Sequence, residues 1–156
     1  MPISTIIVFI LLAFVAITIF KGVRIVPQGY KWIVQRLGKY HTTLQPGLNF
    51  VIPYVDEVAY KVTTKDIVLD IPSQEVITRD NAVLLMNAVA YINLTTPEKA
   101  VYGIENYSWA IQNMVQTSLR SIVGEMDLDD ALSSRDHIKA KLKAAISDDI
   151  SDWGIT

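Results

Sequence analysis

The sequence predicts an α+β protein with one N-terminal transmembrane helix, then a β-rich region, then helices. Three observations predict this order. An uncharged apolar run opens the chain, from Ile3 to Phe20. Between residues 30 and 94, apolar and polar side chains alternate in short segments, which is the period of strands. From residue 95 onward, apolar residues recur every three or four positions, as on one face of a helix. Strands followed by helices are typical of the α+β class.

The first element is the run "ISTIIVFILLAFVAITIF", which has no charged residue, Gly or Pro. Its eighteen residues would form a helix about 27 Å long, close to the ~30 Å hydrocarbon core of a bilayer. A cleaved signal peptide, the alternative, needs basic residues before the run and small residues after it, and neither is present. We interpret residues 1–20 as an uncleaved anchor. Its bilayer-spanning residues are Ile3, Ile6, Ile7, Phe9, Leu11, Leu12, Phe14, Ile17 and Phe20.

Charge is divided unevenly along the chain. Residues 21–65 carry a net charge of +5, and residues 66–156 carry −7. Because Lys21, Arg24 and Lys31 follow the apolar run, the positive-inside rule places the C-terminal domain in the cytoplasm and the N-terminus outside. The prediction is a single-pass protein of the cell inner (cytoplasmic) membrane, whose basic half lies against anionic headgroups. The acidic second half argues against a nucleic-acid partner.

Motifs for catalysis or metal binding are missing from the sequence. It has no Cys, which excludes thiol catalysis and cysteine-ligated zinc, and no HExxH, GxSxG, Walker or GxGxxG motif. His41 and His137 are 96 residues apart and are expected on the surface. Asp127, Asp129 and Asp130 lack the spacing of a calcium loop and are better explained as helix caps. We therefore expect no catalytic residue, no metal site and no cofactor.

The β-rich region opens with "YKWIVQR", a predicted half-buried strand, and Gly38 predicts a hairpin turn after it. "VAYKV" and "DIVLDI" predict two further strands, and the latter is expected to end at Pro72. Asp80 and Asn81 are a plausible turn pair. Residues 83–94 are apolar on both faces, which predicts a central strand.

The helical region begins at Thr96 and Pro97, a helix-start signal. A longer amphipathic helix is predicted across residues 106–126, and a last helix across residues 134–150. Two capping pairs are expected, Asp127 with Asp130 and Ser133 with Asp136. The Met and aromatic residues at core spacing are Trp109, Met114, Met126 and Trp153.

The segment "PGLNFVIPYV" is strongly apolar and is interrupted by Pro46, Gly47 and Pro53. One interpretation is a core strand with prolines at its edges. The other is an insert in the membrane interface, since apolar residues with an aromatic ring at headgroup level suit that position. Its interface residues would be Leu48, Phe50, Val51, Ile52 and Tyr54, beside Lys21, Arg24 and Lys31.

Three blocks of the sequence resemble one family. "VPQGYKWIVQRLGKYHTTLQPGLNFVIPYVDEV", "LDIPSQEVITRDNAVLLMNAVAYINL" and "LRSIVGEMDLDDALSSRDHIKAKLKAAISDDISDWGI" are similar, in this order, to the stomatin–prohibitin–flotillin–HflK/C (band 7) domain. With the anchor, the chain resembles bacterial stomatin homologues of the paraslipin/QmcA type. The resemblance implies an anchor (1–20), a β-rich membrane-proximal subdomain (21–94) and a helical part (95–156). Relatives continue past the Trp-Gly-Ile segment, so a truncated domain is expected.

The resemblance also implies a function. Such proteins are non-catalytic scaffolds that form rings or cages on membranes, organise membrane microdomains and modulate membrane proteases or transporters. Expected partners are the lipid bilayer, further copies of the chain, an NfeD-like membrane protein and membrane proteases. The resemblance favours membrane contact for residues 48–54. Two other functions stay open from the residues alone: a membrane-tethered hydrolase using Ser133 or Ser134, and a lipid-sensing module that acts as a monomer.

Overall fold

A computed structural model describes residues 2–155 of the chain. The fold is α+β, as the sequence predicts. Contacts divide the chain into two compact units, Met1–Thr64 and Lys65–Thr156. In order, the elements are α1 (Ile3–Gly22), β1 (Val23–Val26), β2 (Tyr30–Arg36), β3 (Lys39–Leu44), β4 (Gly47–Phe50), β5 (Asp56–Thr63), β6 (Ile67–Ile77), β7 (Val83–Ile92), α2 (Pro97–Gly103), α3 (Tyr107–Gly124), α4 (Leu128–Ser133) and α5 (Arg135–Asp152).

The first unit joins the apolar helix to two small antiparallel sheets. β1 pairs with β4, and β2 lies between β3 and β5. The hairpin predicted at Gly38 is present: Leu37 and Gly38 have φ of 52° and 83°, the left-handed values that a tight two-residue hairpin turn needs. A small core forms around buried Val26, Val34 and Leu44. This core joins the strands that follow α1.

The second unit consists of the β6–β7 hairpin and four helices. Apolar residues on one face of α3 are buried, including Leu119 and Val123, which pack with Val76 of β6. Ala131 of α4 and Ile138 of α5 complete this core. The amphipathic pattern therefore predicted α3 correctly, because the buried side chains recur at helical spacing.

Two strand predictions in this unit are wrong. Pro72 does not end its strand: β6 continues to Ile77, and the pairing register shifts between Ile71 and Gln74. A bulge accommodates a residue that has no N–H to donate to the ladder. β7 is not central either, since among the described strands it pairs with β6 alone. One of its two apolar faces is exposed, with Val83, Leu85, Val89 and Tyr91.

Three details of the helices also differ from expectation. Asp127 is the N-terminal cap residue of α4 but makes no capping hydrogen bond, because its carboxylate pairs with Arg79 at 2.7 Å. Ser133 donates its hydroxyl to the Asp129 carbonyl at 2.7 Å and does not cap α5. Trp109 is 65% exposed and lies outside the core. The spacing of residues along one helix does not predict a contact such as Arg79–Asp127, which joins residues far apart in sequence.

Candidate membrane interface

The helix α1 has the length and composition that crossing a bilayer requires. It is 20 residues long, and no residue of its most apolar stretch is buried inside the protein. All nine residues predicted for the span are at least half exposed, from Ile6 at 50% to Phe20 at 82%. A helix that is apolar on every side and exposed along most of its length would be poorly solvated in water. Its surface matches lipid.

The segment predicted as an interface insert surrounds β4 and the turn after it. Leu48, Phe50, Ile52 and Tyr54 are 46–69% exposed. Val51, in contrast, packs against the core of the first unit. Val51 thus joins the segment to the core, and the other four apolar side chains are exposed.

Tyr54 lies against the membrane helix. Its ring stacks on that of Phe14, with centroids 6.3 Å apart and planes 6° from parallel. Phe14 is eight residues before the end of α1 at Gly22, a distance of about 12 Å along the helix axis. The turn after β4 therefore reaches back along α1 toward its middle.

Gly22 makes this return possible. The Val51 N–H donates to the Gly22 carbonyl at 2.7 Å, which joins the insert to the last residue of α1. A Cβ at position 22 would lie 2.7 Å from the Val51 carbonyl oxygen, a backbone atom. Only glycine permits this approach without displacing the chain.

Asp56 holds the other end of the turn. Its side chain, 4% exposed, receives two hydrogen bonds from the Arg36 guanidinium, at 2.7 and 3.2 Å. It also accepts the Ile52 N–H at 3.0 Å, and its own N–H donates to the Ile52 carbonyl. The Arg36 hydrogen bonds lower the pKa of Asp56 from its ordinary value of 3.8 to about 2. The carboxylate is therefore charged at neutral pH and fixes the turn.

This pair gives a pH prediction. Because the folded pKa of Asp56 is depressed, its stabilising contribution is complete above pH 3.8 and is lost as the pH falls through about 2. We expect Arg36→Gln to return the Asp56 pKa toward 3.8, measured as the midpoint of its carboxyl ¹³C chemical shift. Arg24→Gln, which removes a cation not bonded to Asp56, should leave the midpoint near 2. Equal midpoints in wild type and Arg36→Gln would contradict this electrostatic role.

Two of the three predicted basic residues, Lys21 and Arg24, lie at or just after the end of α1. Lys21 is in its last turn, Arg24 is on β1 opposite Asn49, and Lys31 is on β2. Sequence reasoning missed two further interactions of the same unit, the Arg36–Asp56 pair and the contact of Lys61 Nζ with the Trp32 ring, 4.5 Å from its centroid. Both join β2 to β5, whose register sets these residues opposite each other.

The candidates for other chemistry are scattered. Within residues 2–155, no group of three or more His, Cys, Asp or Glu side chains could hold a metal ion. His41 and His137 are both exposed and belong to different units. Ser133 donates its hydroxyl to a backbone carbonyl.

Comparison with known proteins identifies the family. The model of the SPFH domain / Band 7 family matches residues 24–156. The chain belongs to the SPFH/band 7 family. Stomatin-like members of this family associate with membranes and oligomerise, and the family is generally non-catalytic.

Relatives of the SPFH chain come from all three domains of life. Human mitochondrial stomatin-like protein 2 is 38% identical over 130 residues, which is 83% of this chain and 36% of the relative. An uncharacterized protein of Methanocaldococcus jannaschii is 42% identical over 137 residues, 88% of this chain and 68% of the relative. An uncharacterized protein of Mycobacterium tuberculosis is 36% identical over 146 residues, which is 94% of this chain and 38% of the relative. The chain spans little more than a third of the length of the stomatin-like relatives.

Proposed function

We propose that the protein is a non-catalytic membrane scaffold. It is anchored by α1, oligomerises into rings or cages on the cytoplasmic side, organises membrane microdomains and modulates membrane proteases or transporters. The observation that carries the proposal is the stack of Tyr54 on Phe14, 6.3 Å between centroids. If α1 spans the bilayer, this contact draws the insert into the same leaflet.

The insert adds a second attachment to the membrane. Leu48, Phe50 and Ile52 are exposed beside Tyr54, and fully burying a side chain of this kind contributes roughly 1.5–3 kcal/mol. Partial insertion gives less per residue. An anchor and an insert together restrict how the domain tilts on the bilayer, which suits a protein whose copies must meet side by side.

The orientation follows from charge. The first unit has six Lys or Arg and two acidic residues. Lys21 and Arg24 sit at the end of α1, where cations retain a segment on the cytoplasmic side. We therefore propose that both units lie in the cytoplasm and that the N-terminus lies outside.

A surface suited to self-association lies on the hairpin of the second unit. One face of β6 and β7 carries six apolar side chains, each more than half exposed: Val68, Ile77, Val83, Leu85, Val89 and Tyr91. Residues opposite each other in the register, such as Val68 and Tyr91, share this face. Contiguous apolar patches of this kind mark interaction sites. We call this set the hairpin face and propose that it contacts another copy.

Charge supports a neighbour of opposite sign. Asp70 and Glu75 lie on the hairpin face, opposite Val89 and Leu85, and the second unit has fourteen acidic residues against eight basic ones. The first unit is basic. A contact between the acidic unit of one copy and the basic unit of the next is heterologous, and such contacts close into rings when the rotation permits. Asp148, Asp149 and Asp152 near the end of α5 would add to that contact.

Other proteins would then bind the assembled surface. The proposed partners are membrane proteases and an NfeD-like membrane protein, held at the bilayer by the scaffold. No catalytic role is proposed for the chain itself. Its contribution would be to fix the position of proteins that diffuse in the same leaflet.

Crosslinking in native membranes tests the proposal. The full-length protein, treated with an amine-reactive crosslinker before extraction, should give multimers well beyond a dimer. A monomer in every detergent and in lipid would overturn the scaffold. In that case, binding to liposomes without multimers would instead support the monomeric lipid-sensing module.

A further inference from the structure

A groove of about 750 Å³ opens in the first unit, next to the end of α1. Trp32, Val51 and Val58 line it, and all three pack against the core of this unit. Phe20, in the last turn of α1, also lines the groove and is 82% exposed. A cavity of this size falls in the range of small-molecule sites. Its walls are therefore partly apolar, and it lies at headgroup level if α1 spans the bilayer.

Two cations face this groove, Arg24 of β1 and Lys61 of β5. Because side chains alternate along a strand, Arg24 lies on the same face of β1 as Val26, which is buried in the core. Ile25 lies on the opposite face and is exposed. Lys61 is paired with Trp32 in the register of β5 with β2, and its Nζ lies 4.5 Å from the centroid of that ring. Both cations thus lie on the side of their strands that carries the core residues.

No free carboxylate faces these two cations. Asp56 lines the groove, but its side chain is 4% exposed and its charge is compensated by the Arg36 guanidinium. Glu57 borders the groove as well, but alternation along β5 places its side chain on the sheet face opposite to that of Asp56. Within the part of the chain that the structure describes, neither of the two cations forms an ion pair. The groove therefore presents two uncompensated positive charges beside apolar walls.

We propose that this groove binds the phosphate of an anionic phospholipid. The phosphate oxygens would accept charge-assisted hydrogen bonds from the Arg24 guanidinium and the Lys61 ammonium. An acyl chain would lie along Phe20, in the leaflet that holds α1. A zwitterionic headgroup fits less well, because its cationic group would meet two cations and no free carboxylate. The inference rests on the proposed function in one respect, that α1 lies in a bilayer.

Lipid retention by the full chain tests this site. The protein is reconstituted in bilayers with equal amounts of phosphatidylglycerol and phosphatidylcholine of identical acyl chains, and retained lipid is counted by native mass spectrometry. We expect phosphatidylglycerol to exceed phosphatidylcholine about tenfold, equivalent to ~1.4 kcal/mol. Arg24→Gln and Lys61→Gln should each lower this ratio to about threefold, since each removes one of two cations. Lys61→Arg keeps the charge and should keep the preference.

The control separates a site from the general attraction of a basic unit. Lys39, the first residue of β3, is exposed in the same unit and does not line the groove. Lys39→Gln removes the same charge and should leave the ratio near that of the wild type. A decrease as large as that in Arg24→Gln would show a general effect of net charge and overturn the site. Equal retention of the two lipids by the wild type would overturn it as well.

A free phosphate ester is the other source of the same chemistry. Glycerol 3-phosphate at a concentration equal to that of the lipid should not displace phosphatidylglycerol, because it lacks the acyl chain that contacts Phe20. Displacement would make this a site for a soluble phosphate ester and overturn the lipid assignment. Co-migration of each variant with vesicles measures anchoring separately, so failure of the proposed anchor is distinguishable from loss of the site.

Discussion

Replacing Phe50 and Ile52 together with Asp is expected to reduce the liposome binding of residues 21–156 by tenfold or more. These side chains are 69% and 46% exposed on the insert, so the change removes apolar contact with lipid and adds two charges. A tenfold loss is about 1.4 kcal/mol, less than full burial of either side chain contributes. The fragment lacks all of α1 except its last two residues, so binding depends on the insert and the basic surface. Flotation with vesicles containing anionic lipid measures the bound fraction.

The matched control places the same charges elsewhere. Trp109 and Leu132, in the second unit, are 65% and 61% exposed, one aromatic and one aliphatic like the pair on the insert. Trp109→Asp with Leu132→Asp should leave binding unchanged. Circular dichroism must show that all fragments are folded. Unfolding of the insert variant would assign Phe50 and Ile52 to the core, and undiminished binding of a folded variant would remove the insert from the membrane.

Leu85→Glu is expected to dissociate the oligomers of the full chain. Leu85 is 72% exposed on the hairpin face, and a glutamate there would lie opposite Glu75 of β6 and would lose its hydration where another copy covers this face. Hot-spot residues, which cluster near the centre of an interface, cost 2 kcal/mol or more when replaced, so we expect the dissociation constant to rise about thirtyfold. Mass photometry of the protein in lipid nanodiscs, across a dilution series, measures the distribution of species.

Leu132→Glu is the control for this change. It makes the same substitution at a residue of similar exposure on α4, outside the hairpin face. We expect its oligomers to match those of the wild type. Equal dissociation in both variants would indicate a general effect of charge, and intact oligomers in Leu85→Glu would exclude the hairpin face as the contact.

The elements that the sequence predicted well are those with a local period. The apolar run forms α1, the predicted turn at Gly38 joins β2 to β3 as a hairpin, and the segment with apolar residues at every third or fourth position forms α3. Each of these patterns depends only on residues that are close together in the sequence. The prediction for β7 failed because apolar residues on both faces of a strand indicate that both faces are buried. They do not show whether the same chain or another molecule covers each face.

The site was predictable in part. The segment around Phe50 could be named as an insert from its composition, but its contact with α1 could not. Phe14 and Tyr54 are 40 residues apart in sequence, and nothing local pairs them. Arg36 and Asp56 meet because the register of β2 with β5 sets them opposite each other. Opposite charges on neighbouring strands were a usable signal only once that register was known.

Depth measurement at position 54 tests the central claim most directly. The chain has no Cys, so Tyr54→Cys carries one spin label in the otherwise intact protein. Phe14→Cys provides a reference inside the span, and Leu132→Cys one in water. Relative accessibility to oxygen and to a water-soluble nickel chelate reports the depth of each label in a bilayer. We predict that the label at 54 lies inside the leaflet, close to the depth of the label at 14. A label at 54 as accessible to the chelate as the label at 132, with position 14 still in lipid, would contradict the account.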